Sequence, residues 1–480
     1  MNEAPARFRL SRRTFAAGAA LLPIGCARLD GGTSRFLTGP VTPVVSDPLV
    51  RQRADAQVFR HADGQYYMTA SVPEYDRLII RRAATLADLG DSASEVVVWR
   101  RPANGKMAGY IWAPELHWFE GAWHIYFAAG DGGEPFRIRT YVLICRASDP
   151  LSGTWDLLGQ FETPWDSFTL DSTIFAHRGV RYACWAQQEP GIDTNSNIYL
   201  APLAAPTRLA RAPARLTVPT LEWEVPGYKV NEAPALLARN GRLFLTYSAA
   251  ATDARYCLGM LTAEEDSDIM DPRAWTKSRE PVFKTCRETS VFGPGHNSFT
   301  VDEQGRDILV YHGRDYEEID GDPLFDPNRH TRMQRIYYDA QGRPDFGVPV
   351  GNGPLPERLE TAERSGTWLS HDGTRPFVGQ APLPQTQFRS LPAEDGGIRL
   401  SPILLPQQCL FATADGSIWI AARSAARGQQ AADVFDRVAA RDGKTVQFRS
   451  RAFPGKALAA ADGALRLASA ADPRAAWAVS

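Results

Sequence analysis

The chain has 480 residues, enough to bury a large core and hold one big domain beside a smaller one. Its formal net charge of −2 leaves no basic footprint, which argues against a nucleic-acid partner. The 12 Trp, 15 Tyr and 22 Phe suit strands, and they also suit the apolar faces of sugars.

The first predicted element is an export signal, residues 1–26. Ser11-Arg12-Arg13-Thr14-Phe15 is a twin-arginine sequence, followed by the apolar run Phe15–Ile24 and then Gly25-Cys26. That run is too short for a permanent membrane helix, and no other stretch reaches the roughly 18 apolar residues that spanning requires. No transmembrane span is therefore expected, and the mature protein is expected outside the cytoplasm, periplasmic or secreted. Cys26 is a candidate lipid anchor, with simple cleavage nearby as the alternative. Residues 27–43 read as a linker. The five remaining cysteines, Cys145, Cys184, Cys257, Cys286 and Cys409, show neither a disulfide framework nor a CxxC metal site, and are expected to be buried apolar residues.

From residue 44 to 352 one pattern occurs five times: a polar opening, an apolar stretch, a Gly turn, then an alternating aromatic strand. The openings are Asp55-Ala56-Gln57, Trp112-Ala113-Pro114-Glu115, Asp171-Ser172-Thr173, Asn231-Glu232-Ala233-Pro234 and His296-Asn297-Ser298. The matching turns lie at Asp63-Gly64, Glu120-Gly121, Arg178-Gly179, Asn240-Gly241 and Gln304-Gly305. Copies recur at a spacing that leaves room for a four-stranded blade, and no long amphipathic helix intervenes. The fold class is all-β, a five-bladed β-propeller. The innermost strand of each blade starts near the channel, so Asp55, Glu115 or its neighbours, Asp171, Glu232 and His296 are expected to face the axis. Three carboxylates far apart in sequence would then share one pocket. Such a set suits hydrolysis of a glycosidic bond, which needs one protonated carboxyl and one ionised carboxylate, with a third able to tune the acid.

Residues 353–382 read as closing strands and a linker, and 383–480 as a compact β module, trefoil-like or sandwich. Strands are expected around Gly397–Leu400, Ser417–Ile420, Val446–Arg449 and Leu465–Leu467. The Ala-rich stretch from Ala457 to Ala476 has helical propensity, against which Gly463 and Pro473 argue.

The five openings, with Gly293-Pro294-Gly295 before His296, resemble the landmark motifs of glycoside hydrolase family 43 over roughly residues 44–351. Arg53-Ala54-Asp55, Ser71–Arg77 and Tyr247–Asp253 are similar to its α-L-arabinofuranosidase branch. The resemblance implies an inverting enzyme that removes terminal α-L-arabinofuranosyl residues from arabinan or arabinoxylan, plant polysaccharides that would be its partners. Asp55 is then the general base, Glu232 the general acid, and Asp171 the residue that orients the acid and raises its pKa. Trp112 and Arg332 are candidate sugar contacts. No cofactor is required. In related enzymes the matching histidine sits beside a central metal, usually calcium held largely through water, which makes His296 a candidate metal neighbour of a structural Ca2+; a hydrogen-bonded structural histidine is the alternative. A β-xylosidase of the same fold, a catalytically silent sugar-binding propeller and a retaining sucrose- or fructan-processing propeller are the rival readings. The family usually has glycine where Ala233 stands. Val446–Trp477 faintly resembles an arabinofuranose-binding β-trefoil repeat, with Ala459-Ala460 in place of its usual Arg-His.

Overall fold

A computed structural model describes residues 45–480 except 395, 423–431 and 441. The twin-arginine run, Cys26 and the whole expected linker, residues 27–43, lie outside the described residues. The described residues belong to one compact unit.

Five antiparallel sheets follow one another along the chain and make five blades. Their inner strands are Ala54–Arg60, Ile111–Phe119, Thr169–His177, Asn231–Arg239 and Phe292–Val301. Alternation drives the packing. Apolar side chains such as Leu78, Ile80, Leu116, Ile125 and Leu143 fill the space between blades 1 and 2, and comparable clusters fill the other seams. The expected X-Gly turns connect inner strands to their neighbours. At Glu120-Gly121, Arg178-Gly179 and Asn240-Gly241 both residues have positive φ, the turn geometry that matches strand twist. All five described cysteines are buried, as expected of small apolar residues.

The ring closes through the N-terminus. Blade 5 contributes three strands, Phe292–Val301, Asp307–Arg314 and His330–Arg335. Val50 bridges antiparallel to Thr331 through two backbone hydrogen bonds of 3.3 and 2.9 Å, and Asp47 accepts the Met333 amide at 2.9 Å.

Each inner strand carries a bulge at the same place. The register slips between Ala54 and Gln57, Trp112 and Glu115, Leu170 and Thr173, Glu232 and Ala235, and Gly295 and Ser298. Within these slips Asp55, Ala113, Asp171, Ala233 and His296 all have φ between 44° and 55°. A left-handed backbone costs a non-glycine residue on the order of 1 kcal/mol or more. Four of the five strained amides are taken up by a side chain of the preceding blade. Ala113 donates to Ser71 Oγ (2.7 Å), Ala233 to Asp171 Oδ2 (3.0 Å), His296 to Ser248 Oγ (2.8 Å) and Asp55 to His312 Nδ1 (3.3 Å). The bulge breaks the ladder and aims side chains at the axis, and the clips hold neighbouring blades in register.

Beyond Pro354 the chain builds one ten-stranded sheet and a separate hairpin, Gln408–Ala412 with Ile418–Ala422. Strands Glu357–Thr361, Trp368–His371 and Pro376–Gly379, within the segment read as closing strands and linker, pair inside this C-terminal sheet instead. Their alternating Leu359, Leu369 and Val378 share its core with Leu400, Phe448 and Trp477. The Ala-rich stretch is strand, not helix: Lys456–Ala461 and Ala464–Ser469 form a hairpin. Ala459 is fully buried against the small cluster of Ala457 and Ala475. That position therefore offers no side chain to a sugar. Arg389 ties the module to the propeller edge through the carbonyls of Pro354 and Gly351.

Candidate active site

A cavity of about 960 Å³ opens at one mouth of the channel. Asp55, Asp171 and Glu232 all line it, together with Trp112, Tyr256, His296 and Arg329. The bulges explain how three blades deliver acids to one place. Asp55 and Asp171 are bulge residues themselves, and Glu232 immediately precedes one. In blade 2 the bulge residue is Ala113, not Glu115. Glu115 lies two positions farther along, in a smaller cavity of about 460 Å³, with Oε2 3.0 Å from His117 Nε2. Glu115 thus lines a different cavity from the three acids, because the extra residue of the bulge shifts the side-chain alternation.

Asp55 is buried, and burial alone would raise its pKa. The Arg329 guanidinium outweighs that effect and holds it well below the usual carboxylate range. Arg329 Nη1 donates to its Oδ1 at 3.3 Å and Ser71 Oγ to its Oδ2 at 2.6 Å. His296 Nδ1 and His312 Nδ1 lie 3.4 and 3.2 Å from Oδ1. Burial lowers the pKa of both imidazoles, that of His312 to about 3. Asp55 is therefore an ionised carboxylate.

Glu232 is pushed the other way. Burial lifts it to about 7; the hydrogen bond from Tyr256 opposes the lift, the charge of Asp55 adds to it, and Arg329 opposes it. Asp171 is raised by burial and by the charges of Glu232 and Asp55, and it holds the Ala233 amide beside the acid. The pocket thus pairs one ionised carboxylate with one protonated carboxyl, an arrangement suited to general base and general acid work.

Trp112 lines the pocket, with its ring parallel to Tyr110 at 5.7 Å, and its Nε1 has no partner among the described residues. That N–H is itself buried, so Trp112 offers the cavity its ring rather than a donor. Arg332 lies elsewhere. It is fully buried, donating to Val350 O (3.4 Å), Asn352 Oδ1 (2.8 Å) and Asp315, where it braces the propeller edge. Arg329, just before the same strand, is the arginine in the pocket; it also donates to the Tyr75 hydroxyl at 2.8 Å. No pattern in the sequence separates these two arginines. Tyr256 stands outside the repeated openings, so the repeat does not point to it.

His296 is set among acids, 3.4 Å from Asp55 and 4.0 Å from Asp171. A directly held calcium ion needs six to eight oxygen donors. Among the described residues no group of three or more His, Cys, Asp or Glu could hold a metal ion. The donor set does not fit a directly ligated calcium. Among the described residues no helix is long and apolar enough to cross a membrane.

A family model described as Glycosyl hydrolases family 43 matches residues 45–344. The chain is 47% identical over 386 residues to an extracellular exo-α-(1→5)-L-arabinofuranosidase of Streptomyces avermitilis, covering 79% of each. It is 50% identical over 324 residues to the enzyme of the same name from Streptomyces chartreusis, covering 67% of this chain and 96% of that one. Among solved structures, an α-L-arabinofuranosidase from Lactobacillus brevis aligns with 49% identity and a TM-score of 0.62, over 64% of this chain and 97% of that chain.

Proposed function

The chain belongs to glycosyl hydrolases family 43, and from that membership and its pocket we propose that it is an inverting, exo-acting α-L-arabinofuranosidase of arabinan or arabinoxylan. One observation carries the reading: Asp55, Asp171 and Glu232 open onto a single cavity in which Asp55 is held ionised and Glu232 protonated.

In this reading Asp55 takes a proton from a water molecule as that water attacks the anomeric carbon. Glu232 gives its proton to the glycosidic oxygen, the carbon–oxygen bond breaks, and the bonding electrons leave with the departing alcohol. Attack from the face opposite the leaving group inverts the anomeric centre. Arg329 keeps the base ionised between turnovers, and Asp171 fixes the backbone on which the acid stands. Trp112 contributes an apolar ring to the sugar. The related enzymes named as extracellular and the twin-arginine run Ser11–Phe15 support an exported protein that meets plant polysaccharide outside the cytoplasm.

The test is sugar release from aryl α-L-arabinofuranosides, aryl β-D-xylosides, arabinan and arabinoxylan. Free arabinose from the arabinofuranosides and from both polymers is expected. Release of xylose in its place would move the enzyme to the xylosidase reading, and no release from any of them would leave a sugar-binding propeller.

A further inference from the structure

Tyr256 immediately precedes blade 4's third strand, Cys257–Glu264, and its side chain is almost wholly buried. Its hydroxyl donates to Glu232 Oε1 at 2.7 Å. Its ring lies parallel to that of His312, with centroids 5.5 Å apart and planes 2° from parallel. His312 Nδ1 in turn lies 3.3 Å from the Asp55 amide and 3.2 Å from Asp55 Oδ1. One stacked pair therefore touches the acid at one end and the base at the other. Gly295 makes the space for it: a Cβ there would sit 2.3 Å from Cδ1 and Cε1 of the Tyr256 ring. The glycine before His296 is thus explained by the tyrosine of the neighbouring blade.

We propose that Tyr256 is the positioning residue of the general acid, pinning Oε1 of Glu232 so that the proton to be delivered stands on Oε2. This rests on the reading of Glu232 as the acid. When the Oε2 proton passes to the glycosidic oxygen, the carbon–oxygen bond breaks and its electron pair leaves with the alcohol. The negative charge that appears on the carboxylate is met by the O–H already aimed at Oε1. A hydrogen bond to an ionised group is stronger than one to a neutral group, so the contact strengthens as the proton departs. His312 carries the ring from behind, tying the acid's orientation to the base's.

The test compares Tyr256→Phe, which keeps the stacked ring and removes only the hydroxyl, with the wild type and with Glu232→Ala. Two substrate sets are used: arabino-oligosaccharides, whose leaving alcohol needs a proton, and nitrophenyl arabinofuranosides, whose leaving group does not. For Tyr256→Phe, kcat/KM on the oligosaccharides is expected to fall by about 10- to 100-fold, the size of one hydrogen bond to a charged group. On the nitrophenyl substrates it should fall far less. The alkaline limb of the pH profile should move upward, because the lost hydrogen bond favoured ionised Glu232. Gly295→Ala, which pushes on the same ring, is expected to give the same pattern.

A loss equal on both substrate sets, or an alkaline limb that stays in place or moves down, overturns the proposal. Glu232→Ala separates this from failure of the wider reading. If that variant shows a leaving-group dependence and Tyr256→Phe does not, only the role of Tyr256 falls. If Glu232→Ala shows none, the assignment of the acid falls with it.

Discussion

Asp55 and Glu232 are both buried carboxyls, yet their surroundings drive them apart, and the difference is made by named neighbours. Asp55 faces Arg329 and two imidazoles; Glu232 faces a tyrosine hydroxyl and the charge of Asp55. Replacing either by Ala is expected to lower kcat/KM on polymer by about 10²- to 10⁴-fold, the usual worth of a general acid or base, with the circular-dichroism spectrum unchanged. The pH profile follows from the same neighbours. The reaction needs Asp55 ionised and Glu232 protonated, so kcat/KM should fall as pH rises through about 7. Arg329→Met removes a positive charge that favours ionised Asp55. The base then protonates at higher pH, and the acid limb should move up toward neutrality while the alkaline limb loses the opposing Arg329 effect and also rises; an unmoved acid limb would show that Arg329 does not set the base. The three acids were legible in the sequence because each opens a copy of the repeat. Arg329 was not legible in the sequence: it lies just before the strand that carries Arg332, and only the folded structure shows that its guanidinium, not that of Arg332, reaches the pocket.

The recurring element is the bulged inner strand. Alternation and Gly turns made the five strands readable, but the bulge was not, since one extra residue in a pairing leaves no compositional mark. That single residue is why Ala113, rather than Glu115, occupies the blade 2 position. It also explains a local oddity. Ala233 has φ 51° where the family usually places glycine, so its Cβ is carried in a strained conformation. Ala233→Gly should relieve that strain, and the greater freedom of glycine in the unfolded chain offsets only part of it. A net gain of about 0.5–1 kcal/mol is expected in urea unfolding; a loss of stability would mean that the Ala233 methyl does more in packing than its backbone strain costs. The second strand of blade 4 shows the same economy, with Ser248 holding the His296 amide much as Ser71 holds that of Ala113.

At the scale of the whole molecule, five blades are locked by the segment around Val50 and braced on one edge by the C-terminal sheet. The repeat count was readable from spacing; the closure was not, because Leu49 and Val50 precede the first copy and carry no motif. Removing residues up to Val50 deletes two buried aliphatic side chains, the two hydrogen bonds to Thr331 and the one from the Met333 amide to Asp47. The loss should be about 3–6 kcal/mol, seen as a lower thermal midpoint, whereas an unchanged midpoint would show that blade 5 needs no closing partner. The ring matters because it is what brings residues 55, 171 and 232 to one mouth of the channel, and that convergence gives the chemistry its geometry. The stereochemical course of the reaction tests it most directly. Followed by proton NMR from the first minute, hydrolysis of an α-L-arabinofuranoside should release the β anomer of arabinofuranose first, with the α form appearing only as the free sugar mutarotates. Initial release of the α anomer would mean a covalent intermediate on one of these carboxylates, and the division of labour between Asp55 and Glu232 described above would be contradicted.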